Sequence, residues 1–225
     1  MPTIDIGFRL TGREIPADHG YALYGAVSRH VPWTHNPAQE ALGIHPINGL
    51  LAGNRLLHLT PSSRLTFRLD ADHVHELLPL AGKELDLDGH KLRVGVPTAY
   101  TLKPAATLRS RLVTINMRVK ENLTPESFLA AVQADLTALG IKGVPGLVKR
   151  QGAKALEGKS AATADRSPFI RRTLFIKNKD HPAIVVGYAV IVQGLTAAEE
   201  SLKLQEHGIG GRRRFGCGIF VPVRQ

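Results

Sequence analysis

The densest group of chemistry-bearing residues is the stretch 208–220, GIGGRRRFGCGIF. Gly208, Gly210, Gly211, Gly216 and Gly218 surround three consecutive arginines, Arg212, Arg213 and Arg214. Glycine permits positive φ and close backbone approach, so such a loop can turn its N–H groups outward as an anion cradle. The guanidinium groups add permanently charged forks matched to phosphate oxygens. A helical pattern precedes the stretch and an apolar strand follows it. A dinucleotide or P-loop site needs the reverse order, strand then glycine loop then helix, and the G-x-G-x-x-G spacing fails because Arg213 takes the third glycine position. The loop therefore reads as a contact for a polyanion such as an RNA backbone, not as a mononucleotide site.

Other chemistries have weaker footing. There is no C-x-x-C or H-E-x-x-H pair, and the histidines lack carboxylates at a recognisable metal-ligand spacing, so neither a metal nor another cofactor is expected. The single cysteine, Cys217, forms no internal disulfide and sits between two glycines, where a small packing residue is wanted. A formal net charge of +10 and a pI near 10.0 favour an acidic partner, nucleic acid first and an anionic membrane second. Seven Phe, four Tyr and one Trp leave little for extensive base stacking. No apolar run reaches membrane-spanning length and the N-terminus lacks a secretory pattern, so a cytoplasmic protein with no membrane partner is expected.

The elements that must carry these residues follow from periodicity. Residues 3–10 alternate, with Ile4, Ile6, Phe8 and Leu10 on one face of a strand. Asp18 is placed as the cap of a helix that ends near Pro32. Residues 33–54, rich in Pro, Gly, Asn and His, read as a long functional loop with a short strand near Ile47. Residues 56–60 and 64–69 read as paired strands, 72–80 as a short helix, and 84–96 as a hairpin turning at Asp88-Gly89. Residues 97–104 read as a linker. Beyond it come a strand over 108–119 and a helix capped by Thr124 with Pro125 first, ending at Gly140. A glycine-rich, basic insertion occupies 143–168. Strands over 171–177 and 183–192 follow, then a helix capped by Thr196 and Glu199, the glycine loop and a last strand. The second half thus reads β-α-β-β-α-β and the first half fits that order less cleanly. The expected fold is α+β, two tandem ferredoxin-like domains, 1–99 and 100–225, with the glycine-rich loop at 208–218.

With that order in place, the run SLKLQEHGIGGRRRFGCGIFVP resembles the C-terminal signature of the CRISPR-associated endoribonucleases that cut repeat RNA into guide RNAs, a group within the RAMP superfamily. DHGYALYGAVSRHVPWTH is similar to that family's helix and histidine-bearing loop, and HPINGL, RLTFRL and VVGYAV fit its short, myxobacterial-type subgroup. The resemblance covers most of the chain apart from residues 143–168. It implies a metal-independent nuclease that binds CRISPR repeat RNA, often a stem-loop. The 2′-hydroxyl attacks the adjacent phosphorus, leaving a 2′,3′-cyclic phosphate and a 5′-hydroxyl. It also implies membership of a multi-protein interference complex. A non-catalytic RNA-holding subunit of the same superfamily is the alternative, and an enzyme acting on a small phosphorylated substrate is a third class.

Such a reaction needs a base, an acid and positive charge, and histidine, with an unperturbed pKa of ~6.5, suits proton transfer. His35, in PWTHNP, matches the family's catalytic histidine, as general acid or base. His45, in GIHPI, falls where some members carry a lysine at the scissile phosphate; a strand-start side chain bonded to backbone is its structural alternative. His30 could simply be a cation favoured by the helix C-terminus. Tyr24 and Ser28 join the catalytic set because some relatives place a tyrosine near the Ser28 position; core packing is the alternative for Tyr24. For RNA contacts the leading residues are Arg212, Arg213 and Arg214 with Gly210 and Gly211. Arg109 and Arg111 on one strand, Arg171 and Arg172 on another, and Lys149 and Arg150 in the insertion complete the set, with a solvated strand face as the ordinary alternative for each strand pair.

Overall fold

The computed structural model describes residues 2–36, 41–115, 124–150, 167–178 and 181–223. The first half contains β1 (Thr3–Thr11), β2 (Glu14–Pro16), helix α1 (Gly20–Ser28), β3 (Gly43–Ile44), β4 (Leu50–Leu51), β5 (Leu56–His58) and β6 (Arg64–Asp70). Three short helical turns over residues 71–80, including α2 (Val74–Leu77), lead to β7 (Glu84–Leu87) and β8 (His90–Thr101). The second half contains β9 (Leu108–Val113), α3 (Pro125–Ala138), β10 (Val144–Leu147), β11 (Arg171–Ile176), β12 (Ala183–Gln193), α4 (Ala198–His207) and β13 (Phe220–Pro222).

Two antiparallel sheets result. The first runs β3-β6-β1-β8-β7, and the second runs β10-β12-β9-β13, with β11 pairing another stretch of β12. Setting aside the added β7, both give the strand order of a split βαββαβ unit with its two central strands flanked by the outer pair. The alternation read from the sequence sets the first core: Ile6 and Phe8 of β1 meet Leu65, Phe67 and Leu69 of β6, with Leu23 and Val27 of α1 closing over them. Each such fully buried side chain contributes about 1.5–3 kcal/mol. The second core gathers Leu108, Phe128, Val132, Tyr188, Val190 and Phe220. Among the described residues no helix is long and apolar enough to cross a membrane.

Local rules explain several boundaries. The β7–β8 hairpin turns at Asp88 and Gly89 with φ of 54° and 90°, as a tight primed turn requires. Thr124 accepts a hydrogen bond from Ser127 N and completes a capping box, worth about 1 kcal/mol, and Gly140 ends the region with φ 68°.

Other expectations are corrected. The strands near 56–60 and 64–69 do not pair with each other. Leu57 of β5 is buried opposite Ile15 of β2, in a small β2-β5-β4 sheet, whereas β6 inserts between β1 and β3. Ser63 turns the chain between the two sheets, accepting from Thr60 N at 2.9 Å and donating to Asn48 O at 2.6 Å. Residues 97–101, read as linker, continue β8 against β1. Residues 144–147, read as insertion, pair with β12, and Lys149 bridges Phe169; residues 151–166 lie outside the described residues, as do 116–119 of the strand expected after Leu108. Thr196 and Glu199 do not cap α4, because the helix begins one residue too late for Thr196: its cap is Ala197, with no side-chain bond. The cap of α1 is His19, not Asp18. Asp18 instead accepts from Phe175 N at 2.9 Å, tying α1 to β11 of the other half.

Candidate active site and nucleic-acid interface

Helix α1 buries Leu23, Ala26 and Val27 and presents Tyr24 at its edge. After Ser28 a 3-10 turn, Pro32–His35, brings the chain back beside the helix. Thr34 Oγ1 donates to Val31 O at 2.9 Å, so the 2.8 Å contact between Ser28 and Thr34 is a donation from the Ser28 hydroxyl. Ser28 therefore holds this turn from within the core. His35, at the end of the turn, is exposed. Its Nδ1 lies 2.9 Å from the Tyr24 hydroxyl, and the two rings meet edge-on at 5.1 Å. Phe215 packs edge-on against the other side of Tyr24, also at 5.1 Å, and Arg214 Nη2 donates to Asn36 O at 2.6 Å. The histidine turn and the C-terminal loop thus hold one another. Gly20 permits this approach, since a Cβ there would lie 2.3 Å from Phe215 O.

The glycine loop works differently from an outward amide cradle. Gly208, Gly210, Gly216 and Gly218 all have positive φ, and a Cβ on Gly208 or Gly218 would sit 2.2 Å from a carbonyl oxygen of the loop's opposite side. The amides of Ile209, Gly211, Cys217 and Gly218 bond to Gly218 O, Thr114 O, Arg212 O and Leu112 O. The glycines therefore let the loop fold on itself and onto the end of β9. Gly210 shares that role, its Cβ position lying 2.2 Å from Thr114 O, while Gly211 is exposed and uncrowded. Cys217 is buried there and burial pushes its thiol up to about 12.

The three arginines separate. Arg213 is buried and its Nη1 donates to Glu206 O and His207 O, capping the C-terminal end of α4; burial first, then Arg68, bring its pKa down to about 10. Arg213 thus ties the loop to the end of α4. Arg212 is exposed at φ 65°, and Arg214 is half-buried. All three arginines line a depression of about 790 Å³ with Tyr24, Asp70, Glu206, His207, Gly210 and Gly211.

His45 lies elsewhere. Its Nε2 is 3.4 Å from Asp5 Oδ1, without aligned hydrogen-bond geometry, and it lines a second depression, about 840 Å³, with Asn48, Arg64, Thr66 and Tyr100. Burial lowers its pKa. The structure so places it with the ion pair of Asp5 and Arg68 instead of beside His35. Arg68 is almost fully buried and joins the halves. Its Nε and Nη2 donate to the two Asp5 oxygens at 2.8 Å, and Nη1 donates to Gln205 O at 2.9 Å and Phe220 O at 2.7 Å. His19 was not expected to matter. It is buried, its Nδ1 donates to Pro16 O at 2.9 Å, and its Nε2 accepts from Ile47 N at 2.9 Å, fixing the start of α1 to the loop behind it. Burial lowers its pKa to about 4. His30 Nε2 donates to Glu84 O at 3.3 Å, which makes it a tether between α1 and β7.

A third depression, about 470 Å³, lies between the halves and is lined by Arg55, Arg111, Arg171 and Arg172. Arg111 donates to Ala17 O at 3.1 Å, and burial, then Arg172, bring its pKa down to about 10. Burial, then Arg109 and Arg150, lower Arg172. Arg111 and Arg172 repel each other, offset in part by Asp18 in the same lining, so the cleft is predominantly cationic. Arg55, unpredicted, stands 5.6 Å over the Phe175 ring. Lys149 is exposed, at an isolated bridge to Phe169. Among the described residues no three His, Cys, Asp or Glu side chains are grouped as metal ligands would be.

Comparison with known proteins agrees with this architecture. The family profile described as "Cas6 Crispr" matches residues 4–225. A curated relative, the "CRISPR-associated endonuclease Cas6" of Myxococcus xanthus (strain DK1622), is 32% identical over 222 residues, covering 99% of this chain and 82% of the relative. A solved structure named "CRISPR associated protein Cas6" superposes with a TM-score of 0.61 at 13% identity, covering 99% of this chain and 100% of that one. Another, "Characterization of a Cas6-related gene from Pyrococcus furiosus", gives 0.65 at 13% identity over 99% of both chains. A third, "An RAMP protein binding different RNA substrates", gives 0.65 at 12% identity over 98% of this chain and 100% of that one. The profile match over nearly the whole length, with a relative of this identity, makes the chain a member of the Cas6 family.

Proposed function

We propose that this protein is a metal-independent endoribonuclease that binds CRISPR repeat RNA and cuts the precursor transcript into guide RNAs. The observation that carries the reading is the exposed His35 bonded to Tyr24 at 2.9 Å, on a turn fastened by Arg214 to a rim that also holds Arg212. Family membership and the relative named as an endonuclease support the reaction class. The chemistry follows from the groups present. With Nδ1–H donating to the Tyr24 oxygen, the imidazole is held in one orientation and Nε2 is left to exchange a proton with the RNA. Arg212 and Arg214 offer charge for the phosphoryl oxygens as the 2′-oxygen attacks, so negative charge developing there meets fixed cations. Tyr24 acts as a positioning residue and His35 as general acid or base, an effect of about 10²–10⁴-fold for one such group.

The arginine-lined cleft supplies the rest of the binding. Arg109, Arg111, Arg171 and Arg172, with Arg55, Lys149 and Arg150, take the RNA backbone that leads to the cut. In the same proposal the halves act as two ferredoxin-like domains, 1–99 and 100–225, and the product-bound protein enters a multi-protein interference complex in the cytoplasm. The test is cleavage of an end-labelled repeat RNA from the host's own array, in EDTA, with the product's 3′ end analysed. Cutting that leaves a 2′,3′-cyclic phosphate is the expected result. A linear 3′-hydroxyl product, or loss of cutting in EDTA restored by a divalent ion, would overturn the mechanism. Tight binding without cutting would make the protein an RNA-holding subunit.

A further inference from the structure

Transfer by 2′-hydroxyl attack moves two protons, and His35 accounts for one of them. We infer that His207, the last residue of α4, is the second proton-transfer group, the base for the 2′-hydroxyl, with His35 as the acid; this rests on the endoribonuclease reading above. His207 is exposed and lines the same depression as Arg212 and as Tyr24 and Arg214, which bond His35 and the backbone of Asn36 beside it. It is also the only histidine lining that depression among the described residues. Its ring is set for this role. Nδ1 lies 3.1 Å from Lys203 O, and since a carbonyl only accepts, Nδ1 carries the hydrogen and Nε2 of the neutral ring presents a lone pair. Its backbone is fixed as well, because Arg213 donates to His207 O and Gly208, at φ 67°, ends the helix immediately behind it. This gives Arg213 a positioning function that its burial alone does not suggest. The charged and titratable groups that share its helix or its depression are Lys203 and Glu206 on α4, Arg212, Arg213 and Arg214 on the loop, and Asp70 and Tyr24.

The step balances. Nε2 of His207 takes the proton of the 2′-hydroxyl as O2′ bonds to phosphorus. The P–O5′ bond breaks, and O5′ takes a proton from Nε2 of His35. One proton is gained by the protein and one is given up, leaving a 2′,3′-cyclic phosphate and a 5′-hydroxyl.

The experiment compares single-turnover cleavage of a repeat RNA with an ordinary 5′-oxygen leaving group and one with a 5′-bridging sulfur at the scissile position, which departs without protonation. His35→Ala should lose about 10²-fold or more on the oxygen substrate and recover most of it on the sulfur substrate. His207→Ala and His207→Gln should lose about 10²-fold or more on both, with RNA affinity within about threefold of wild type and unchanged melting temperature. His207 variants within about threefold of wild type on the oxygen substrate would overturn the assignment, as would recovery of their rate by sulfur. If wild type itself cuts neither RNA, the endoribonuclease reading fails rather than this one.

Discussion

Arg68→Met removes the group that holds the two halves in register, and its cost can be worked from the contacts. Four donations are lost: two to Asp5 at 2.8 Å, one to Gln205 O at 2.9 Å and one to Phe220 O at 2.7 Å. Burial pushes the Asp5 carboxyl up, but the two hydrogen bonds from Arg68, with His45 close by, outweigh it and hold it well below the usual carboxylate range. Methionine fills much of the arginine's volume yet leaves that carboxylate and both carbonyls without their partner. Removing one member of a buried pair costs about 3–5 kcal/mol, a large share of the 5–15 kcal/mol that holds a typical domain. The assay is urea unfolding followed by circular dichroism and by the emission of Trp33, the single tryptophan. Arg68→Met should lose about 4 kcal/mol and Asp5→Asn about 2 kcal/mol. The double variant should lose less than the sum, with a coupling near 2 kcal/mol. A loss below about 1 kcal/mol for Arg68→Met, or additive losses, would refute the reasoning.

Three further outcomes follow from the same structure. The buried, neutral His19 has a folded pKa near 4 against ~6.5 unfolded, so its stabilisation is complete above pH ~6.5 and is lost as pH falls toward 4. The change amounts to about 3 kcal/mol, and urea midpoints at pH 8, 6 and 4.5 should show a steeper decline in wild type than in His19→Gln. Gly208→Ala meets Gly218 O at 2.2 Å with φ 67° and should cost about 2 kcal/mol or more, whereas Gly211→Ala, with open space around it, should stay within about 0.5 kcal/mol by thermal melting. Arg212→Ala should weaken repeat-RNA binding and reduce its log–log salt slope by about 1 without changing the melting temperature; Arg213→Ala should lower the melting temperature through loss of the α4 cap.

Much of this arrangement was legible in the chain because it rests on local rules. Alternation in residues 3–10 and the strand pattern at 64–69 placed the central strands, Asp88-Gly89 marked its hairpin, and Thr124-Pro125 marked the start of α3. The resemblance drew attention to His35 and Tyr24, which the fold brings into contact. What was not legible depends on partners distant in sequence. The glycine loop looked like an anion cradle because glycine content signals freedom of φ, but what uses that freedom here is Gly218 O, Thr114 O and Leu112 O. Nothing in three adjacent arginines tells which one turns inward, and Arg213 does so because the α4 carbonyls at Glu206 and His207 lie behind it. Ser28 and Asp18 read as site and cap residues by position, yet Thr34 and the Phe175 amide claim their side chains. His19 and Arg68 carried no periodic or motif signal, and their roles follow from contacts with Ile47, Gln205 and Phe220.

The central claim is that His35 transfers a proton during cleavage of repeat RNA. The most direct measurement is the single-turnover cleavage rate of wild type and His35→Ala at saturating protein, alongside their dissociation constants for the same RNA. The account predicts a rate lower by about 10²–10⁴-fold with the dissociation constant unchanged within about threefold. A rate within threefold of wild type, or a loss of rate matched by an equal loss of affinity, would contradict it.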